Sequence, residues 1–583
     1  MSSLCNSAHR KLQSVLSAPL LLIFLFIYLF TLPSKTASQE SQSSLKDYIQ
    51  LTGQSNIYGE LYSIKGTNPR RPPSTGRISF TPTLRLSKFF TVSAQLLLST
   101  EGSSARQNIN LMGLHPVWKW GKAHIGDYSD HFSKYTFNGV NVKGAEIDLF
   151  PDKFRFTVGG GQTRRAVEGI LVSESFAQYM FTSRIGYGSK NGSFFDLIFL
   201  KAKDDAASLK KPQDWDYTYV IPDTLESELD TLWIEPPYNP LSVTPQENMV
   251  IGFNSKVQMF QNRLVLEMEG NGSAFTKDLN TSPVVMDSID ASGLVKSCFD
   301  EIYTPRAGSN FDFALNTHLG MNLQNLKLNL GFRHIGPGYV SLGIPSTVND
   351  RQEWLFNTAF KLGIHRFRFG VNRLSDNLLD QKEQTNIRNQ FQASVATIMK
   401  RWRSQVNIRW MIMNNNAPTD SLEWAFNNIV LSTHQALMFG PESMLRQIGL
   451  QYTYQTSNKE LFEKSNQNHY HTINLTSNLR FVQKLTLNTS IGLSFRDSNT
   501  QGKYTTQVYS LRLIHLAFQN KLSNALFSSS SMVRDTHMLR AGITSSYRLT
   551  KVYQITFNLS YNNFRGTRNF REFRSTLMLS HHF

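Results

Sequence analysis

Leu326, Lys327, Leu328, Asn329, Leu330, Gly331, Phe332 and Arg333 alternate apolar and polar without a break. A period of two places the leucines and Phe332 on one face of an extended chain and the Lys, Asn, Gly and Arg on the other, which a 3.6-residue helical period cannot do. The same alternation sets Phe311, Phe313, Leu315 and Leu319 against Asp312, Ala314, Asn316 and His318. It sets Phe367, Phe369 and Val371 against Arg366, Arg368 and Gly370, and Ile555, Phe557, Leu559 and Tyr561 against Thr556, Asn558 and Ser560. From about Asp47 onward the pattern predicts strands throughout.

The polar face carries Gly, Ser, Asn and Arg, which fit poorly in a dry sandwich core where each buried polar group needs a partner. The runs extend over roughly 10 to 14 residues, longer than the 5 or 6 of globular sheets and suited to a tilted crossing of a bilayer. One face therefore reads as facing lipid and the other as facing water.

Composition agrees. The chain has 583 residues, of which 40% are hydrophobic and 18% charged, and its mean hydropathy of −0.31 is too low for a bundle of membrane helices. An aromatic share of 12%, with 40 Phe, is too high for a disordered chain. The net charge of +17 suits anionic lipid headgroups. Its basic residues are scattered singly over many strands, which argues against nucleic acid as a partner.

Connection lengths alternate. Short links are expected at 87–89, 151–153, 190–192, 261–263, 323–325, 483–484 and 551–552, and longer ones at 65–76, 127–139, 164–178, 203–247, 275–308, 336–351, 376–387 and 457–470. Tight turns on one rim and long loops on the other are the habit of strands threaded through an outer membrane. The count predicts an all-β fold, a single large antiparallel transmembrane barrel of about 26 strands, within a range of 22 to 26. Such a sheet must close, because an open edge in hydrocarbon leaves backbone groups unsatisfied.

The two ends add a resemblance. His9, Arg10 and Lys11 precede an apolar run from Ala18 to Leu32, followed by Ser34, Thr36, Ala37 and Ser38, the layout of a secretory signal cleaved near residue 38. The last residues alternate Phe573, Ser575, Leu577, Leu579, His581 and Phe583 on one face. A terminal Phe closing an alternating strand resembles the signal read by the assembly machinery of bacterial outer-membrane barrels. Leu577, Leu579 and Phe583 are its candidate residues, with His581 a departure from the usual apolar residue.

The chain thus resembles a large Gram-negative outer-membrane barrel. It divides into a signal peptide at 1–38, a short periplasmic segment at 39–46, and a barrel at 47–583 with long loops at 203–247 and 275–308. The resemblance implies outer-membrane lipid and the barrel-assembly machinery as partners. TonB-dependent receptors carry a globular plug before the barrel, for which the residues ahead of Asp47 leave no room. Cleavage would leave Cys298 as the sole cysteine, so internal disulfides are not expected to hold the chain.

A barrel of this strand number encloses a wide lumen. Its inferred inner face is basic, with Lys327, Arg333, Arg366, Arg368, Arg409, Arg540, Arg548 and Arg574 against a minority of Glu267, Glu269 and Asp312. The loop 203–247 carries Asp223, Glu226, Glu228, Asp230 and Glu235 among Trp215 and Trp233. The expectation is that this acidic, aromatic loop folds into the basic lumen as a constriction, leaving a plug-less pore or loop-gated channel for polar or anionic solutes. The alternative is a barrel without an open pore, serving surface display, adhesion or a secretion or surface-assembly machine; the turn-rich, apolar stretch from Gly336 to Leu342 would suit contact with a partner or with the other loops.

No enzyme activity and no cofactor are expected. Gly159, Gly160 and Gly161 have no helix after them to cradle a phosphate, and read as a bend or bulge in a strand. His469 and His471 at the end of a loop lack a third metal ligand. Asp127, Asp130 and His131 read better as a solvated loop than as a cation site.

Overall fold

The computed structural model describes residues 49–583 except 87–88, 102–106, 108, 169–173, 190, 210–242, 285–301, 347, 420–421, 442–443, 445, 462–463 and 483. The described residues form 26 antiparallel strands, from β1 (Ile49–Lys65) to β26 (Phe570–His582), each paired with its neighbours in the chain. The first strand also pairs with the last, from Gln54↔His582 to Lys65↔Arg571. The sheet is therefore a closed barrel, and the seam leaves no edge to be satisfied by lipid.

Phe583 sits in that seam. Its N–H donates to the Gly53 carbonyl at 3.1 Å, the Gly53 N–H donates back at 2.9 Å, and its ring stacks on Phe80 at 5.9 Å. A Cβ on Gly53 would stand 2.8 Å from that ring, so glycine is what lets the aromatic lie across the first strand. Leu577 and Leu579 point outward among the exposed apolar side chains.

The two faces separate as alternation requires. On β9 (Phe194–Asp205) Phe195 and Leu197 are about half exposed, while Asp196 and Ile198 are buried. Exposed large apolar side chains recur on strand after strand, including Phe181, Ile251, Phe313, Trp354, Phe369, Trp410, Leu475 and Leu526. A soluble protein rarely shows apolar patches of more than a few hundred Å², so this continuous belt is the lipid-facing surface of a transmembrane barrel. None of the described helices is long and apolar enough to cross a membrane; the crossing is made by strands.

One rim carries the tight turns, including 260–263 and 518–521, and both β1 and β26 have their outer ends there. The other rim carries the long links, but only as far as residue 423. The expected long connection at 457–470 is instead strand: β19 (Arg446–Leu461) and β20 (Lys464–Val482) run together through Thr456↔His469 and Tyr454↔His471. Its Asn, Gln and His residues resemble a loop because this end of the hairpin alternates no apolar face with its polar one. His469 and His471 belong to an aromatic ladder there, with His471 4.9 Å from the ring of Tyr454.

The three glycines lie on β7 (Phe154–Arg164), and the ladder to β8 (Ala177–Gly188) slips just after them, between Gln162 and Arg164. The expected bulge is present.

Candidate functional site

Two long-rim connections turn into the barrel. The first is 129–141, between β5 (Gly121–Tyr128) and β6 (Val142–Leu149). The second is 336–350, between β13 (Leu326–Ile335) and β14 (Arg351–Leu362). They leave the sheet at places far apart in strand order yet touch each other: the Tyr339 hydroxyl donates to the Tyr135 carbonyl at 2.7 Å, and the Ser341 hydroxyl to the Thr136 carbonyl at 2.6 Å. The Asn138 N–H donates to the Gly343 carbonyl at 2.9 Å. Such contacts are made across the concave side of the sheet, which fixes the inner face.

Apolar packing draws the segments in. Phe132 and Phe137 stack edge to face at 5.4 Å and pack with Met180, Ile198, Leu200 and Val250 on the wall; Leu342 packs against the same group. Tyr135 and Tyr339 form a second cluster with Ala314 and Ile335. Burying side chains of this size stabilises by about 1.5–3 kcal/mol each, enough to hold a connection that would otherwise lie in water.

Polar wall residues fix the register. On β11 (Leu264–Thr276), Glu269 accepts the N–H groups of Tyr135 at 2.8 Å and Lys134 at 3.2 Å. Asn271 accepts the Thr136 hydroxyl at 2.6 Å. On β10 (Glu247–Met259), Asn254 donates to the Phe132 carbonyl at 3.0 Å, and Asn248 donates to the Val340 carbonyl while accepting the Leu342 N–H, both at 3.0 Å. On β12 (Ser309–Asn322), Asp312 accepts the Gly338 N–H at 2.8 Å. Buried backbone groups of an inward-turned loop must find partners, and these side chains supply them.

Beneath the first segment, toward the short-turn rim, lies a hollow of about 590 Å³. Its wall is charged in both signs. Arg155 pairs with Asp196 at 3.1 Å, Arg184 with Asp148 at 2.9 Å and Lys256 with Glu267 at 3.3 Å, and the Arg184 guanidinium lies 4.7 Å over the Phe132 ring.

No protein-family model matches the chain. No curated protein matches it either. Solved structures do match, at low likeness. The translocation pore of the P pilus usher PapC covers 91% of this chain and 99% of its own length at 8% identity, with a TM-score of 0.25. The siderophore receptor PirA from Pseudomonas aeruginosa covers 91% of this chain and 80% of its own, at 10% identity and a TM-score of 0.41. OccAB3 from Acinetobacter baumannii covers 58% and 93%, at 8% identity and a TM-score of 0.28. All three similarities concern overall fold.

The basic residues expected on the inner wall fall on the sheet face opposite the exposed aromatics. Arg333 pairs with Glu353 at 2.8 Å, and Arg574 with Glu60 across the seam, also at 2.8 Å. Arg368 and Arg409 line one polar hollow of about 480 Å³, with Gln392, Asn407, Ser432 and Thr453. Lys327, Arg366, Arg540 and Arg548 are exposed. The expected constriction residues Trp215, Asp223, Glu226, Glu228, Asp230, Trp233 and Glu235 lie outside the described residues, as does Cys298. The described part of 275–308 does not turn inward: Tyr303 packs on Met249, Ala274 and Phe199, on the outward face of β9 to β11.

Sequence reasoning missed the inward turn of 129–141. A signal existed. Leu197, Ile198, Phe199 and Leu200 form an unbroken apolar run, as do Met249, Val250 and Ile251, and a strand apolar on both faces is covered on both. The stretch from Gly336 to Leu342 does meet another connection, as its composition suggested.

Proposed function

We propose that the protein is a Gram-negative outer-membrane barrel that passes polar or anionic solutes through a lumen narrowed by its own connections. The observation that carries this reading is the division of the inner wall. Segments 129–141 and 336–344 pack over the wall from β8 to β13, whereas Arg368 and Arg409 line a polar hollow farther round. Guanidinium groups in a confined aqueous path favour anions electrostatically, and neither Arg368 nor Arg409 has an ion-pair partner among the described residues. The acidic, aromatic stretch within 210–240 is proposed as a further constriction, and Leu577, Leu579 and Phe583 as the residues read by the assembly machinery.

Purified protein in planar bilayers tests the reading. A salt gradient should give a reversal potential on the anion side, and Arg368→Glu with Arg409→Glu should move it toward cations. The buried aromatic packing of Phe132, Phe137 and Tyr339 favours one rival, a sealed barrel used for display or assembly. That rival predicts no current at all.

A further inference from the structure

A group of titratable side chains gathers at the root of segment 129–141. Glu146 on β6 is buried, at 3% exposure; among the described residues no N–H group or basic side chain donates to either of its carboxylate oxygens, and the group they face is the carboxyl of Asp130. Its cross-strand partner on β5 is His124. The His124 Nδ1 lies 2.8 Å from Nδ1 of His115, and its Nε2 is buried without a hydrogen-bond partner among the described residues. Asp130 enters from the segment, held by Lys122 at 2.9 Å and by the His131 N–H at 2.7 Å. One ligand atom each from His124, Asp130 and Glu146 lie within 4.8 Å of one another.

Lys122 compensates Asp130 but not the buried Glu146 carboxyl beside it, which cannot stay ionised there unless a further cation joins the two carboxylates; otherwise it must carry a proton. The free ring nitrogen decides between cation classes. Calcium and magnesium take oxygen cages, while one imidazole with two carboxylates suits a borderline first-row ion. We propose that His124, Asp130 and Glu146 bind a divalent ion of the Zn²⁺ class. Ligand atoms around one tetrahedral ion at about 2.0–2.2 Å stand roughly 3.3–3.6 Å apart, so the group needs to close by no more than about 1.5 Å to hold one. Lys122 has somewhere to go when it releases Asp130, since Asp148 Oδ2 is already 3.6 Å from its ammonium. Gly159 keeps the site open: a Cβ there would stand 2.7 Å from Cβ of Glu146.

The consequence is mechanical. Two ligands stand on adjacent strands and the third on the inward-turned segment, so the ion staples that segment to the wall. This holds whether or not the barrel conducts.

The test is calorimetric titration of chelator-stripped, full-length protein in detergent with Zn²⁺ alone. One saturable site per chain is expected, weakened at least ten-fold in Glu146→Gln and in Asp130→Asn, with folding checked by heat-modifiable migration on gels. Asp130 lies outside the strands, so Asp130→Asn carries the test if the Glu146 variant fails to fold. Absence of saturable binding, as a shared proton between the two carboxyls would give, overturns the proposal. Binding of undiminished strength in the folded variants overturns it equally, since the ion would then sit on other histidines.

Discussion

Tyr339 and Tyr135 stand 204 positions apart in the chain, yet the hydroxyl of the first donates to the carbonyl of the second at 2.7 Å and their rings meet edge to face at 6.4 Å. Tyr339 is fully buried. Removing such a ring costs about 3–5 kcal/mol and leaves a buried carbonyl unsatisfied. Tyr339→Ala should therefore raise amide hydrogen exchange across 132–137 at least ten-fold, with no change in the strands of the seam. Equal exchange in both proteins would mean that the two segments do not support each other.

Glu269 holds the first segment by two backbone N–H groups. Hydrogen bonds to a charged acceptor contribute about 1.5–3 kcal/mol, and an amide side chain retains one acceptor while turning a donor toward donors. Glu269→Gln should loosen 129–141 by roughly ten-fold or more in the same exchange measurement. Glu267→Gln, altering a carboxylate that faces Lys256 instead, should leave it unchanged.

The second segment is tied down at the long-link rim by Asp350, which accepts the Leu378 N–H at 2.7 Å and pairs with Lys382. Burial pushes the Asp350 carboxyl up, but the Lys382 hydrogen bond and the N–H groups of Leu378 and Asn377 outweigh it and hold the group below the usual carboxylate range. The Lys382 ammonium is raised by the same hydrogen bond. A lowered acid stabilises above its unfolded pKa and loses that contribution as pH falls through its folded value; a raised amine stabilises below its unfolded pKa and loses it as pH rises through its folded value. Docking of 336–350 should accordingly be flat from about pH 5 to 9 and loosen below about pH 4 and in strong alkali. Lys382→Met should remove the alkaline limb, as followed by protease cleavage within 345–350.

Two glycines separate segment docking from barrel assembly. A Cβ on Gly343 would stand 2.3 Å from the Thr136 carbonyl oxygen and 2.4 Å from Leu200 Cδ1, whereas one on Gly144 would stand 2.0 Å from the Gly160 carbonyl of the neighbouring strand. Gly343→Ala should give a folded, heat-modifiable barrel whose inner segments exchange faster. Gly144→Ala should lower the yield of folded barrel, because β6 and β7 can no longer approach. Identical behaviour of the two would contradict this division.

The barrel was legible from residues such as Leu326 to Arg333 because lipid on one side and water on the other force a period of two, which is local in sequence. The direction taken by a connection is not local. Phe132 and Phe137 turn inward because Ile198, Leu200 and Val250 wait on strands 60 or more positions away, and Glu269 and Asn271 supply partners from farther still. Glu269 and Asp312 read as a minority of acids in a basic lumen; in the fold they are anchors for backbone N–H groups. Glu146 carried no motif at all, since His124 meets it only through strand register and Asp130 only through the inward turn of 129–141.

Single-channel conductance tests the central claim most directly: that segments 129–141 and 336–344 set the bore. Wild-type protein should be compared in planar bilayers with a variant in which 338–348 is replaced by a short Gly–Ser turn and which migrates as a folded barrel. A clear increase in conductance is the predicted result. An unchanged conductance in the folded variant would contradict the account.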